Sequence, residues 1–310
     1  MSHAIPLRQL GRSGPAVPAL GLGLMGLSFW DSADLYGDSE ELLGKWFERT
    51  GKRTDIFLAT KFGYIKGTKT FEVHSSAAYC KKACDESLKA LGVDSIDLYY
   101  IHQVNPNVPI EETMRAVAEL QALGKIKHIG LSNVSSSTLR RAVKIAPVAA
   151  VQTDYSVFVR DIEGPSGTNL LSACRELGVA LVAAMPLSRG ASGNIGSDMR
   201  AHALPRFGDE NREKNAEIVA RFEELAREKG CTAAQLAIAW LVKQGEDIFP
   251  IPGTKKVRFL EENCEAVGIG LTDEEEREVR GFVEGVEVQG GTVPDAMRGH
   301  LYSETVEEDV

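Results

Sequence analysis

The feature that most constrains the fold is a repeated alternation of strand and helix patterns along the 310 residues. Short apolar runs such as 126–132 and 179–184 predict buried strands, and amphipathic stretches such as 76–91 and 110–123 predict helices. A further helix is predicted from 216 to 229, and Ser39 is a candidate N-cap for the helix predicted after Tyr36. Each strand–helix pair takes up about 30 residues, which is typical of parallel βαβ units. A series of such units favours an α/β fold of the (β/α)8 TIM-barrel type. We therefore expect residues 1–310 to form a single barrel domain.

Ionisable side chains mark the ends of three predicted strands. Lys61 ends the apolar run 56–61 and His102 ends the run 96–102, where burying either group is costly unless it has a partner. Asp31 follows a third apolar run, and Tyr36 lies five residues later in a predicted loop. Each alone could be a turn, surface or packing residue. In this order at the strand ends, the four predict one site on the carboxyl face of a barrel.

This set resembles the catalytic tetrad of the aldo-keto reductases, particularly the fungal, plant and bacterial branch. Other segments similar to that family occur in family order over nearly the whole chain: Leu7-Arg-Gln-Leu-Gly-Arg-Ser-Gly, Gly130-Leu-Ser-Asn133, Val151-Gln152, Leu204-Pro-Arg-Phe207 and Pro250-Ile-Pro-Gly-Thr-Lys255. The resemblance implies an NADP-dependent oxidoreductase that reduces aldehydes or ketones to alcohols by hydride transfer. It implies Tyr36 as the general acid, Lys61 as its neighbouring cation, Asp31 as the partner of Lys61, and His102 as the group that orients the carbonyl oxygen.

The same resemblance implies NADPH/NADP+ as the cofactor and a set of residues around it. Ser132, Asn133 and Gln152 would hold the nicotinamide carboxamide, and Leu187, Ser188 and Arg189 would lie near the pyrophosphate. The remaining predicted cofactor residues are Gly253, Thr254, Lys255, Arg258, Glu262 and Asn263. Lys255 and Arg258 belong to a predicted helix start, a natural anion site that suits the 2′-phosphate. There is no G-x-G-x-x-G at a strand–helix junction, so binding of the dinucleotide in the Rossmann manner is not expected.

Two departures from the family keep other functions open. Only residues 25–28 separate the first predicted strand, Val17–Leu24, from the second, whereas parallel neighbours need a crossover of about 10–12 residues. The barrel would then lack its first helix. Ala184 stands where the family commonly has an aromatic residue that stacks on nicotinamide. Both departures support an alternative, a catalytically impaired or regulatory NADPH-binding barrel. A third interpretation is a lyase that uses Lys61 as a Schiff base.

Composition restricts the partners. The net charge of −9 and pI near 5.3 argue against a nucleic-acid binder, and no apolar run approaches the ~20 residues of a membrane span. The five cysteines are odd in number, and Cys80 and Cys84 are interpreted as packing residues because no further ligands accompany them, so no metal is predicted. With no secretory signal, we expect a cytoplasmic protein. The family resemblance implies a small carbonyl substrate as its partner, and we expect a monomer or weak homo-oligomer.

Overall fold

The central feature of the computed structural model is a seven-stranded parallel sheet curled around an apolar interior. The structure describes residues 5–21, 28–67, 72–188 and 204–308. The sheet order is β3-β4-β5-β6-β7-β8-β9, so strands adjacent in the chain are neighbours in the sheet. The strands of the described residues are β1 Leu7–Gln9, β2 Ala16–Pro18, β3 Phe29–Asp31, β4 Phe57–Phe62, β5 Ile96–Ile101, β6 Ile126–Ser132, β7 Val148–Asp154, β8 Ala180–Ala184 and β9 Ile248–Pro250.

Helices connect successive strands and cover the outer face of the sheet. In chain order, the described helices are α1 Ser39–Thr50, α2 Ala77–Leu91, α3 Ile110–Ala122, α4 Ser136–Ala142, α5 Leu170–Leu177, α6 Asp209–Glu228, α7 Ala233–Lys243, α8 Val257–Glu265 and α9 Asp273–Glu284. None of them is both long enough and apolar enough to span a membrane. The parallel strand order with interposed helices confirms the predicted barrel class.

The N-terminal hairpin closes the amino end of the barrel. Strands β1 and β2 pair antiparallel, and Leu10 at the turn is fully buried against Ala149, Ala180 and other interior residues. Gly11 has a φ of 66° and approaches the Ala149 carbonyl so closely that a Cβ would lie 2.5 Å from it. Only glycine combines that conformation with that approach, so this turn seats the hairpin under the strands.

The first barrel unit differs from the others. Val17 and Pro18, predicted as the start of a barrel strand 17–24, belong instead to the hairpin strand β2, because they pair with Arg8 and Leu7. The Gly21 N–H then donates to the Pro250 carbonyl at 3.0 Å beside β9, whereas β3 forms the opposite edge of the sheet. The rest of the predicted strand and the short connection lie outside the described residues. Six residues, 22–27, join Gly21 to Ser28, too few for the usual crossover.

The outer side of β3 is nevertheless covered. Trp30 is 3% exposed and lies between the rings of Trp46 and Phe47 of α1, with centroid separations of 4.7 Å and 5.8 Å. Such aromatic contacts stabilise packing beyond the area they bury. Trp30 is therefore a packing residue of the helix–sheet layer rather than part of a substrate pocket.

Most predicted element bounds agree with the structure, but two local predictions are wrong. Helix α6 begins at Asp209 rather than at 216, because its first two turns are polar and carry no apolar periodicity. Ser39 is not the N-cap of α1; the cap position is Asp38, and the Ser39 hydroxyl instead bonds the Ser32 hydroxyl at 2.8 Å. The Ser39 hydroxyl therefore bonds a buried neighbour instead of capping the helix.

A buried carboxylate, that of Asp97, links three neighbouring strands of the barrel. Asp97, which is 5% exposed, accepts the Leu58 N–H at 2.9 Å, Arg53 at 2.8 Å and Lys127 at 2.7 Å. It thus ties β4 and β6 to the strand between them, β5.

We expect Asp97→Ala to lower the free energy of unfolding by about 3 kcal/mol, because it leaves a buried N–H and a partly buried cation unpaired. Urea unfolding followed by circular dichroism measures the change. Asp94→Ala, at an exposed aspartate on the same segment, is the control and should change stability by less than about 0.5 kcal/mol. Equal effects of the two substitutions would contradict the assignment.

Candidate active site

The pleat of the strands aims the predicted tetrad into the barrel mouth. Alternate residues of a strand face the same side, and Phe29, Ala59 and Leu98 belong to the interior cluster. Asp31 and Lys61 stand two residues beyond Phe29 and Ala59, and His102 stands four beyond Leu98. All three therefore lie on the interior side at the carboxyl ends of β3, β4 and β5, where strand alternation predicts them.

Lys61 is the buried centre of the site. Its side chain is fully buried and its ammonium donates to Asp31 and, at 2.7 Å, to the Ser32 carbonyl. Gln152 on β7 donates from Nε2 to the other carboxylate oxygen of Asp31 at 2.9 Å. Burial disfavours the charge, but the charges and hydrogen bonds of Asp31 and Tyr36 outweigh it, so the pKa of Lys61 lies above its usual value.

Tyr36 lies above this ion pair at the surface. Its side chain is 47% exposed, and the Lys61 ammonium is 5.1 Å from the centroid of its ring. The Asp34 N–H donates to the Lys61 carbonyl at 3.1 Å and so ties the loop before Tyr36 to β4. The site thus places a solvent-accessible phenol over a buried cation.

His102 is enclosed by two tyrosine rings. Its ring meets Tyr36 edge to face at 5.8 Å and Tyr64 edge to face at 5.1 Å, and its backbone N–H donates to the Phe62 carbonyl at 2.6 Å. Burial, and then the nearby Lys61 charge, hold the pKa of His102 well below its usual value. His102 is therefore a neutral imidazole at physiological pH.

The three residues predicted to hold the nicotinamide lie along one rim. Ser132 ends β6 and is 3% exposed, and Gln152 is 5% exposed and reaches Asp31. Asn133 has a φ of 53°, and its side-chain oxygen accepts the Thr153 hydroxyl at 3.3 Å. The structure thus brings these residues to the carboxyl ends of β6 and β7, with Gln152 joined directly to the tetrad.

The segment after β8 carries the next predicted residues. Ser188 is 5% exposed with a φ of 48°, and its hydroxyl bonds the Ser156 hydroxyl at 2.8 Å. Leu187 packs partly buried against two apolar clusters. Arg189 lies outside the described residues. Ala184 is partly buried at the end of β8, so at this position the chain offers a methyl group and no ring.

A cationic segment follows β9. Gly253, Lys255 and Arg258 are exposed and Thr254 is half-buried, and Thr254 Oγ1 accepts the Lys256 N–H at 3.1 Å. Among the described residues, the N-cap position of α8, Lys256, makes no side-chain capping bond, which leaves the first N–H groups of the helix available to an anion.

The two predicted adenine contacts differ in their surroundings. Glu262 already accepts a hydrogen bond from the Thr232 hydroxyl at 2.5 Å. Asn263 is 2% exposed, and its side-chain nitrogen has no hydrogen-bond partner within the described parts of the chain. A buried amide without a partner is costly, so Asn263 has a donor to offer a ligand. Elsewhere in the described ranges, no three His, Cys, Asp or Glu side chains lie close enough together to hold a metal ion.

Sequence reasoning missed several residues around the site. Tyr64 and His300 stack at 5.9 Å, and the Tyr64 hydroxyl and His300 Nδ1 are 3.2 Å apart, so the C-terminal segment reaches the neighbourhood of His102. Asp34 is 4% exposed, and its Oδ1 finds no partner in the described ranges. Asp34 could have been noticed as a third acidic or phenolic residue in the Asp31–Tyr36 loop, whereas nothing local in the sequence identifies His300.

The pKa of Asp34 gives the stability a pH dependence. Burial raises the pKa of Asp34 to about 7; Lys66 opposes this and Glu40 adds to it. The folded state therefore holds this proton more tightly than the unfolded chain. The contribution of protonated Asp34 to the free energy of unfolding is fully present below the pKa of the unfolded chain, near 4. It is lost as the pH rises through the folded-state pKa of about 7.

We expect Asp34→Asn, which cannot ionise, to remove this loss and to stabilise the protein above pH 7 by up to about 4 kcal/mol. Urea unfolding at pH 4.5, 6 and 8 measures the free energy for variant and wild type. Asp38→Asn, at an exposed aspartate in the same loop, should follow the wild-type profile. Parallel profiles for Asp34→Asn and wild type would refute the assignment.

Comparison with known proteins gives a consistent result. Residues 22–284 match the model of the Aldo/keto reductase family. The chain is 41% identical to Aldo-keto reductase yakc (NADP(+)) of Schizosaccharomyces pombe, with 97% of this chain and 98% of that protein aligned. It is 47% identical to Aldo-keto reductase str7 of Strobilurus tenacellus, with 86% of this chain and 80% of that protein aligned.

Among solved structures, a thermostable aldo-keto reductase in complex with the inhibitor epalrestat superposes with a TM-score of 0.72 at 28% identity, covering 90% of this chain and 100% of that one. Fold, family match and relatives agree, and the chain belongs to the aldo/keto reductase family.

Proposed function

We propose that the protein is an NADP-dependent oxidoreductase that reduces aldehydes or ketones to alcohols, with Tyr36 as the general acid. The observation that carries the proposal is the buried Lys61–Asp31 pair directly beneath the exposed Tyr36. Buried ion pairs are expensive to maintain, and this one lies at the carboxyl face of a barrel, where such folds carry out chemistry.

NADPH, when bound, supplies the hydride that reduces the carbonyl carbon. The oxygen left with a negative charge must then receive a proton, and the Tyr36 hydroxyl is the exposed donor above the barrel. The tyrosinate that remains is stabilised by the Lys61 ammonium beneath its ring. Because Tyr36 is half exposed, solvent can return the proton and complete the cycle.

The state of Lys61 also separates this proposal from a lyase. A Schiff base requires a neutral amine as the nucleophile, whereas the ion pair with Asp31 and the raised pKa keep Lys61 protonated. Lys61 therefore serves as a fixed cation.

His102 is suited to bind the carbonyl oxygen. Its lowered pKa keeps the imidazole neutral, so it contributes a hydrogen bond rather than a charge. The rings of Tyr36 and Tyr64 both contact the imidazole edge to face, which restricts its orientation and so where it would hold a carbonyl oxygen relative to Tyr36.

The chain's residues are chemically suited to NADPH. The Asn263 amide is buried with its side-chain nitrogen lacking a partner among the described residues, and the start of α8 is uncapped. Lys255 and Arg258 are exposed beside it and would bind the 2′-phosphate, while Ser132, Asn133 and Gln152 would hold the nicotinamide end. The relative from Schizosaccharomyces pombe carries NADP(+) in its name, which supports the choice of cofactor.

We also propose a cellular compartment, a domain organisation and an oligomeric state. All five cysteines are free, in keeping with a reducing compartment such as the cytoplasm. We propose one barrel domain over residues 1–310, acting on a small carbonyl substrate as a monomer or weak homo-oligomer.

A second candidate is a regulatory barrel that binds NADPH without catalysis. It is favoured by the six-residue connection 22–27 and by Ala184, which cannot stack on a nicotinamide ring. The two candidates make opposite predictions for turnover, so one experiment separates them.

We expect wild-type protein to oxidise NADPH with 4-nitrobenzaldehyde, and Tyr36→Phe to lower kcat at least about 100-fold because the proton donor is lost. NADPH binding, followed by fluorescence titration, should stay within about twofold because the phenol does not bind the cofactor. Tyr155→Phe is the control, since that hydroxyl bonds Glu163 away from the site, and it should retain kcat. Binding by wild type without turnover would favour the regulatory barrel.

We expect Lys255→Met and Arg258→Met each to raise KM for NADPH about tenfold while KM for NADH hardly changes, because only NADPH carries the 2′-phosphate. Steady-state kinetics with both cofactors measures the ratio. Lys256→Met is the control, a neighbouring exposed lysine outside the predicted set. A loss shared equally by both cofactors would contradict a phosphate contact.

A further inference from the structure

The C-terminal segment lies on the carboxyl-end rim of the barrel, beside β5 and β6. Ser303 pairs with Val134, just after β6, in an isolated parallel bridge and is 4% exposed, although no barrel strand lies beyond β9 in the described chain. Further along, Arg141 donates to the carbonyls of Thr305 and Val306. The segment is therefore fixed at several points beside the face that carries the tetrad.

Ser303 contacts two parts of the candidate site through different atoms. Its N–H donates to the Asn133 carbonyl at 2.7 Å, and its carbonyl accepts the Ser135 N–H and the Thr138 hydroxyl, both at 3.0 Å. Its hydroxyl accepts the Gln103 side-chain N–H at 2.6 Å. The backbone of Ser303 thus bonds Asn133 and the residues that follow it, which we call the cofactor side. Its hydroxyl bonds Gln103, next to His102, which we call the tetrad side.

Three contacts lead from the Ser303 hydroxyl to the His102 imidazole: Ser303 to Gln103, Gln103 to Tyr64, and Tyr64 to His102. Gln103 follows His102 in the chain and is 1% exposed. Its side-chain oxygen accepts the Tyr64 hydroxyl at 3.4 Å, and the Tyr64 ring packs edge to face on His102. Gly63, directly after β4, lies against the backbone of Gln103, and a Cβ at Gly63 would lie only 2.7 Å from the Gln103 carbonyl oxygen.

The cofactor side depends on a backbone conformation that needs support. Asn133 lies in the left-handed region, which costs free energy unless neighbouring bonds hold it. Its N–H donates to the Gln152 carbonyl at 3.0 Å and its carbonyl accepts Ser303. The segment around Ser303 thus supplies one of the two backbone bonds that fix the direction of the Asn133 side chain.

We propose that Ser303 is a positioning residue for the reductase reaction, whose hydroxyl aligns the His102 imidazole through Gln103 and Tyr64. The inference rests on the proposed function and adds to it a residue outside the tetrad. Because the hydroxyl and the backbone serve different sides, removing the hydroxyl alone should disturb catalysis and leave cofactor binding intact.

The test compares Ser303→Ala with wild type and with two further variants. Ser303→Ala leaves a buried Gln103 N–H unpaired, and we expect kcat to fall about tenfold with the Kd for NADPH within about twofold of wild type. Ser303→Thr keeps a hydroxyl and should restore most of kcat. Thr305→Val is the matched control, because it also removes a buried hydroxyl from this segment, one that accepts the Ile110 N–H at 3.2 Å away from the tetrad.

A merely structural role gives a different pattern. If Ser303→Ala and Thr305→Val lower kcat equally, or if Ser303→Ala loses kcat and NADPH affinity together, the proposal is overturned. An unchanged kcat in Ser303→Ala also overturns it.

A readout independent of turnover separates this proposal from the reductase assignment. We expect the His102 imidazole resonances in a ¹H–¹³C spectrum to move in Ser303→Ala and to stay in place in Thr305→Val. If wild type lacks reductase activity, the proposed function fails while this shift still decides the alignment of His102. Unmoved His102 resonances in Ser303→Ala would overturn the positioning role whatever the activity.

Discussion

The ion pair between Lys61 and Asp31 is the interaction on which the rest of the site depends. A lysine with no exposed surface must keep a compensating charge and hydrogen bonds, and removing either partner of such a pair typically costs about 3–5 kcal/mol. Asp31, the Ser32 carbonyl and Gln152 together satisfy these requirements. These bonds join the carboxyl ends of β3, β4 and β7. The need to pair one buried ammonium group therefore determines how these three strand ends are placed relative to one another.

The positions of these groups could be predicted because they follow from strand alternation. Lys61 and His102 end apolar runs, and the period of two fixes which side of the strand they face. The contact between Gln152 and Asp31 could not be predicted in the same way, since it joins residues 121 apart in the chain. It depends on the curvature that brings β7 across from β3, which no local pattern encodes.

Other differences between prediction and structure have local physical causes. Ser39 has the composition and place of an N-cap, but its hydroxyl found a buried partner in Ser32. The start of α6 was missed because its first residues are charged and carry no apolar stripe, although acidic residues at a helix start are favourable. Asp34 was passed over because its sequence suggests a loop residue, whereas the folded chain buries its side chain, and this burial raises its pKa. For Ser39 and Asp34 the tertiary surroundings overrode the local signal, whereas for α6 the local signal itself was missing.

The late position of Ser303 in the chain has a consequence for the order in which the contacts of the rim can form. Ser303 follows every described barrel strand, so during synthesis β3 to β9 leave the ribosome before it does. A nascent chain that has released β9 but not Ser303 contains all the described strands and lacks the bonds that Ser303 makes to Asn133 and Gln103. The direction of translation therefore makes these bonds among the last that the chain can form.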